Sequence, residues 1–414
     1  VGIYNSFRII GGLNMKKLAI IILIILFPAI LFANGFFIYE VSPSSIAQGG
    51  ATIASGSEPA AVFVNPASIT RLDGLEFSLN LNMYLSSSEF TGATSNKTTQ
   101  AETGLFPTPS FFATYKAHKL ISVGIGTYSA YGLGISWPEK WEGYHLVKSS
   151  ELQSYSIQPT LAIGPFYGFS IGAGFDIIMG AVTVQQGIPF GDGVYAKMKL
   201  GGTTTGYGNN VGIFYEPTNW IRIGAHYRSQ VIMKLDEGKV DFDDVPSPFT
   251  STLKDQKVKT GLILPQVVGL GVRLTPLKNL EVELDALQIY WTSYKRLTFE
   301  FEDASLNQTQ EKKWEDAPQF RLGAQYTFKK WDFRAGLIYD ITSIPEETLD
   351  PMLPDNDRID YCIGAGYSFG RFRLDASYMF VNILERNAGA DKNPFPGTYN
   401  ASVHSFALGF TGTL

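Results

Sequence analysis

The stretch Leu75-Glu76-Phe77-Ser78-Leu79-Asn80-Leu81-Asn82-Met83-Tyr84-Leu85 decides the fold. Leu75, Phe77, Leu79, Leu81, Met83 and Leu85 take every second position, with Glu76, Ser78, Asn80 and Asn82 between them. Successive side chains of a strand point to opposite faces, so one face meets apolar surroundings and the other is polar. From about residue 74 the period of two recurs to the end, and no segment holds a period of 3.6.

Outward from that stretch, strands are read at roughly 108–116, 119–131, 152–166, 168–184, 199–216, 219–236, 256–275, 279–299, 316–329, 331–342, 357–369, 371–385 and 401–414. That makes about fourteen, an even number that suits a closed bacterial barrel. Short turns at 115–119, 166–168, 216–219, 275–279, 329–331 and 369–371 alternate with longer loops at about 89–107, 132–151, 185–198, 237–255, 300–315, 343–356 and 386–400. Short turns at one end and long loops at the other describe a transmembrane up-and-down antiparallel β-barrel of the outer membrane. A soluble sandwich would not produce that asymmetry.

Facing supports the barrel. After Asn279, Leu280, Val282, Leu284 and Ala286 would meet lipid while Glu281, Glu283 and Asp285 point inward. A charge on the lipid face costs roughly 2–4 kcal/mol at the midplane, so the lumen takes the acids. The same parity turns Arg222, Arg273, Arg334, Arg373 and Asp375 inward, each near a short turn. The result is a charged collar, which either pairs within itself to brace the wall or grips a plug. Trp220, Tyr227, Tyr290, Trp291, Tyr294, Trp314, Tyr326 and Trp331 fall near strand ends, where aromatic girdles sit.

The chain's 414 residues are 45% hydrophobic, 17% charged and 14% aromatic, with 42 glycines, which fits strands and tight turns and not a disordered tail. Met15-Lys16-Lys17, the apolar run 18–32 and Ala33-Asn34-Gly35 have the order of a secretory signal, with cleavage expected after Ala33 and Met15 as the start. Loss of residues 1–33 takes away Arg8, Lys16 and Lys17 and no acid, leaving 30 basic against 38 acidic residues and a net charge of −8. That balance argues against nucleic-acid binding. Residues 34–73, rich in Gly, Ala and Ser, do not alternate and precede the barrel of 74–414. A lumen of about fourteen strands leaks unless filled, and small residues suit a compact hatch.

Several motifs now point to a family. Asn34-Gly35-Phe36, Glu40-Val41-Ser42 and Asn65-Pro66-Ala67 resemble the mature N-terminus and hatch of the FadL-type long-chain fatty acid and hydrophobic compound transporters. Ser129-Ala130-Tyr131-Gly132-Leu133 resembles their kinked third strand, and Tyr227-Arg228-Ser229, Leu264-Pro265, Asp316-Ala317, Phe333-Arg334-Ala335-Gly336 and Pro354-Asp355-Asn356-Asp357-Arg358 follow in the family's order. The resemblance implies a monomeric barrel in the bacterial outer membrane, among lipid and lipopolysaccharide, that passes hydrophobic molecules inward without a cofactor. It also implies that the hatch rearranges as a gate and that ligand leaves laterally beside the kink, with the Asn65-Pro66-Ala67 turn against Ser129 to Gly132. The family's fatty-acid-binding member has basic residues on the fifth strand and near the tenth. Here Gln185 or Gln186 takes the first place, and Lys312 and Lys313 lie near the second. Uncharged hydrocarbons therefore stay open as substrates beside fatty acids. Leu287 and Ile289, inward by parity, are expected pocket residues.

Other chemistry is absent from the pattern. Cys362 is the single cysteine, and His118, His145, His226 and His404 are scattered without a nucleophile or a metal-ligand spacing, so neither an enzyme nor a metal site is expected. Gly172-Ala173-Gly174 and Gly364-Ala365-Gly366 sit within strands with no helix following, unlike phosphate loops. Asp355, Asp357 and Asp360 match no calcium loop and read as a solvated loop. The alternatives are a general aqueous porin, which would want an open lumen, and a surface adhesin acting through its loops.

Overall fold

The computed structural model describes residues 35–191, 193–247 and 249–414; the expected leader and Asn34 lie outside them. Fourteen antiparallel strands, counted among the described residues, pair in chain order and close on themselves. The seam joins the first strand, Leu75–Gly92, to the last, Gly397–Thr413, in unbroken register from Glu76↔Thr413 to Gly92↔Gly397. Between them run Thr98–Gln100 with Gly104–His118, Ile121–Tyr128 with Gly132–Ser136, Ser149–Phe166, Phe169–Pro189 and Tyr195–Thr218 as strands two to six. Strands seven to ten are each built of two segments: Ile221–Arg228 with Val231–Asp243, Gln256–Leu264 with Val267–Leu277, Leu280–Ile289 with Arg296–Phe301, and Gln308–Glu311 with Ala317–Phe328. Trp331–Asp340, Arg358–Phe369 and Phe372–Ala388 complete the wall.

The deciding stretch behaves as its alternation requires. Leu79 and Leu81 are exposed on the outer wall, whereas Ser78, Asn80 and Asn82 are buried inside. This inverts a soluble protein, because lipid takes the apolar face and the polar groups find partners within. Asn82 donates to the Glu40 carbonyl at 3.0 Å and Asn80 to the Ser110 hydroxyl at 3.1 Å. Tight hairpins close the short-turn end. At Tyr167-Gly168 both φ angles are positive, 51° and 84°, as a two-residue type I′ turn demands.

Residues 36–70 occupy the lumen and are almost all buried. Two short helices, α1 (Pro43–Ala47) and α2 (Ala61–Val64), and a 3-10 turn, Pro66–Arg71, shape this hatch. The Ser42 hydroxyl accepts from the Ser45 N–H at 3.2 Å, and the Asn65 side chain accepts from the Ala67 N–H at 3.1 Å, each cap followed by a proline that lacks the donor an N-terminus would waste. The glycine-rich strand motifs gain their meaning here. A Cβ on Gly172 would lie 2.5 Å from the Ala67 nitrogen, and one on Gly364 would lie 2.6 Å from the Ala47 Cβ. Only a bare backbone lets the hatch lie this close to the wall.

Candidate functional site

The charges expected to form a collar are paired with one another inside the barrel and are also bonded to the hatch. Arg273 binds Glu281 at 2.7 Å and Glu283 at 2.8 Å, Arg222 pairs with Glu281, and Asp375 takes Arg334 and Arg373, each at 2.7 Å. The hatch backbone is received by the same groups. The Ile53 N–H donates to Asp285 at 3.1 Å, the Ala54 N–H donates to Glu283, and Arg222 donates to the Ser55 carbonyl at 3.0 Å. Arg373 reaches Glu58 of the hatch at 3.5 Å. Burial pushes the Glu58 carboxyl above its ordinary range, opposed by Arg373 and the Ser42 hydroxyl.

A second set of anchors lies higher in the lumen, and of these only Arg228 is singled out by the sequence, within Tyr227-Arg228-Ser229. The last carbonyls of α2 have no helical partner, and the wall supplies donors. Gln158 donates to the Val62 carbonyl at 2.7 Å, while Asn210 at 2.7 Å and Arg228 at 3.1 Å share the Phe63 carbonyl. Arg228 is itself paired with Asp176, which also accepts from Tyr128. Inward parity on the sixth and seventh strands was the available signal, since Asn210, His226 and Arg228 share it.

Asn65 is fully buried and donates to the carbonyls of Ile53 at 2.9 Å and Ile213 at 3.0 Å. Pro66 and Ala67 press on Gly172 and Gly212 of the fifth and sixth strands, so this turn does not meet the third-strand kink as the resemblance implied. The kink is met instead by residues 36–38. The Ile38 N–H donates to the Ala130 carbonyl at 2.8 Å, the Gly132 N–H donates to the Phe36 carbonyl at 3.1 Å, and Phe37 bridges Tyr131. Across the kink the register against the fourth strand passes from Tyr128↔Ser156 to Gly132↔Gln153, so four steps on one strand face three on the other. The Ser154 hydroxyl binds both the N–H and the carbonyl of Tyr131, at 3.0 and 2.6 Å.

A gap in the wall follows. The second strand pairs with the third only as far as Phe111↔Thr127, yet with the first from Leu75↔Tyr115 on to Ser86↔Gly104. The Lys116 N–H donates to the Gly74 carbonyl, so even residues of this strand face the first strand and Leu105, Pro107 and Pro109 face the gap. The prolines therefore remove donors from an edge that has no ladder here.

Two cavities meet at this place. A large one of about 1230 Å³ runs from Phe36, Phe37 and Glu40 past Tyr131 and Leu133 to Phe106, Pro107 and Pro109. A smaller one of about 120 Å³ is lined by Leu152, Met233, Leu262, Leu264, Leu297, Trp314 and Met352 among others. Phe36 lines both. Its ring lies 4.7 Å from Trp291, 5.8 Å from Trp314 and 6.1 Å from Tyr294. These three aromatics were expected in an outer girdle, but all are buried inside. The ninth strand breaks at Ile289 into a 3-10 turn, Trp291–Ser293, where a period of two no longer sets facing. Tyr227, Tyr326 and Trp331 do lie on the outer wall.

Among the remaining expected residues, Gly35, Tyr131, Gly132 and Leu133 line the large cavity with Ser129. Leu287 and Ile289 are buried in the apolar core that includes Phe36 and Trp291, but line neither cavity. Lys312 lines the small cavity, bound to Asp350 at 2.9 Å, whereas Lys313 is exposed. Asp355 and Asp360, read as a solvated loop, are buried: Asp360 is inward on the twelfth strand beside Arg358, and Asp355 accepts from Thr342.

A closed, plugged barrel with an apolar exterior and an apolar cavity is an outer-membrane transport barrel. The family model described as outer membrane protein transport protein (OMPP1/FadL/TodX) matches residues 24–413, and the chain belongs to that family. The long-chain fatty acid transport protein of Escherichia coli is 24% identical over 415 residues, spanning 88% of this chain and 90% of the relative. In fold the chain resembles a Pseudomonas aeruginosa FadL homologue, with a TM-score of 0.80, 19% identity and coverage of 92% and 99% of the two chains. It also resembles the Pseudomonas putida toluene transporter TodX, with a TM-score of 0.72, 15% identity and coverage of 93% and 100%.

Proposed function

We propose that this chain, acting as a monomer, carries hydrophobic molecules, long-chain fatty acids or hydrocarbons, across the outer membrane by diffusion. Ligand collects in the small apolar cavity, displaces Phe36, enters the large cavity and leaves through the gap between the second and third strands. The observation that carries this reading is the place of Phe36, on the walls of both cavities and hydrogen-bonded through its carbonyl to the kink. Motion of residues 36–38 would free the backbone of Ala130 and Gly132, so passage and kink geometry are coupled. Transfer is favoured because each buried CH₂ contributes about 0.8 kcal/mol. The named relatives, a fatty acid transporter and a toluene transporter, support a hydrophobic ligand.

The test is binding and uptake of radiolabelled oleate and toluene by liposomes carrying the protein, against a deletion of residues 34–40. The intact protein is expected to bind one or both and to exclude small sugars. The deletion, which removes an aromatic wall from both cavities, is expected to weaken binding about tenfold or more. Free passage of small sugars with binding of neither ligand would replace this reading with an aqueous porin.

A further inference from the structure

Within the proposed uptake path, which this inference presupposes, the charges are distributed unevenly. Lys312 and Asp350 are the charged side chains on the small cavity, and they are spent on each other at 2.9 Å. The pair is fixed before any ligand arrives. The Met352 N–H donates to Asp350 at 2.9 Å, the Thr348 hydroxyl donates to the Lys312 carbonyl at 2.6 Å, and the Lys312 N–H donates to the Lys295 carbonyl at 2.8 Å. An entering carboxylate would have to take Lys312 from Asp350 and then lie beside a like charge in an apolar enclosure. The rest of the path repeats the bias. Where the large cavity crosses the lumen, Glu40, Asp355 and Asp360 line it beside one lining cation, Arg358, already bound to Asp340 at 2.6 Å and Asp360 at 3.5 Å, while Glu40 is held at 3.4 Å by Arg321, which does not line the cavity.

The neutral groups of the small cavity point to what it does accept. Tyr131, Thr260 and Trp314 line it, and their Oη, Oγ1 and Nε1 atoms are buried with no hydrogen-bond partner among the described residues. They offer donors to an uncharged oxygen without demanding a counter-ion. We infer that Asp350 sets the charge selectivity of this pocket, so that it takes uncharged hydrophobic compounds, such as long-chain esters or alcohols, in preference to carboxylates.

Purified protein titrated with radiolabelled methyl oleate and oleate at about pH 8, where the carboxylate form is available, tests this. The intact barrel is expected to bind the ester about tenfold more tightly or better. Asp350→Asn is expected to raise oleate affinity about tenfold while the ester changes by less than about threefold, and adding Lys312→Met is expected to cancel the gain. Heat-modifiable gel mobility checks that each variant is folded. Oleate bound as tightly as the ester by the intact protein, or unmoved by Asp350→Asn in a folded barrel, overturns the inference and leaves hydrophobic uptake standing. Binding of neither ligand by any variant overturns the uptake reading and this inference together.

Discussion

Single residues hold the hatch through backbone groups that water cannot reach. Asn65 is the clearest case, since its amide serves a hatch carbonyl, a wall carbonyl and a hatch N–H at once. Asn65→Ala is expected to leave those groups unpaired and to destabilise the hatch by about 2–3 kcal/mol. Amide hydrogen exchange should show faster exchange at 53–70 with the strands unchanged; equal protection in both proteins would contradict the role. Gly172 acts by what it lacks. Gly172→Val places a side chain where the Pro66-Ala67 backbone lies, and the displaced hatch is expected to raise single-channel conductance in planar bilayers several-fold. Both residues were visible as types in the sequence, one in a quoted tripeptide and one in a Gly-Ala-Gly motif. Their partners were not, because a contact between residues 67 and 172 follows from register and lumen packing that no local pattern encodes.

At the scale of elements, alternation was enough to give fourteen strands, their order and the facing of the collar. It failed where strands break. Trp291, Tyr294 and Trp314 follow the breaks in the ninth and tenth strands, and once the ladder stops, a residue's place in the count no longer fixes its side. Parity also says which groups face inward but not which of them meet, so Glu283 and Asp285 could be assigned to the lumen without showing that they bind hatch N–H groups. The kink is legible as Gly132, whereas its closure by Ser154 and residues 36–38 needed three dimensions.

For the molecule as a whole, collar and hatch form one ionic unit. Arg273 touches Glu281, Glu283 and Gln48, two acids of the wall and a side chain of the hatch, and is 1% exposed. Arg273→Ala would strand buried carboxylates and is expected to cost about 3–5 kcal/mol, seen as a lower temperature for the loss of heat-modifiable gel mobility. An unchanged temperature would mean that the remaining arginines take over its carboxylates. The seam closes the barrel, but beside the kink, between Phe111 and Glu102, the second strand makes no ladder with the third. An exposed ladder edge ordinarily recruits strands from other chains and becomes a seed for aggregates. With Pro107 and Pro109 turned toward the gap, the edge cannot complete a ladder with a foreign strand. A crowded membrane can therefore hold many copies of this wall without the unladdered edge becoming adhesive.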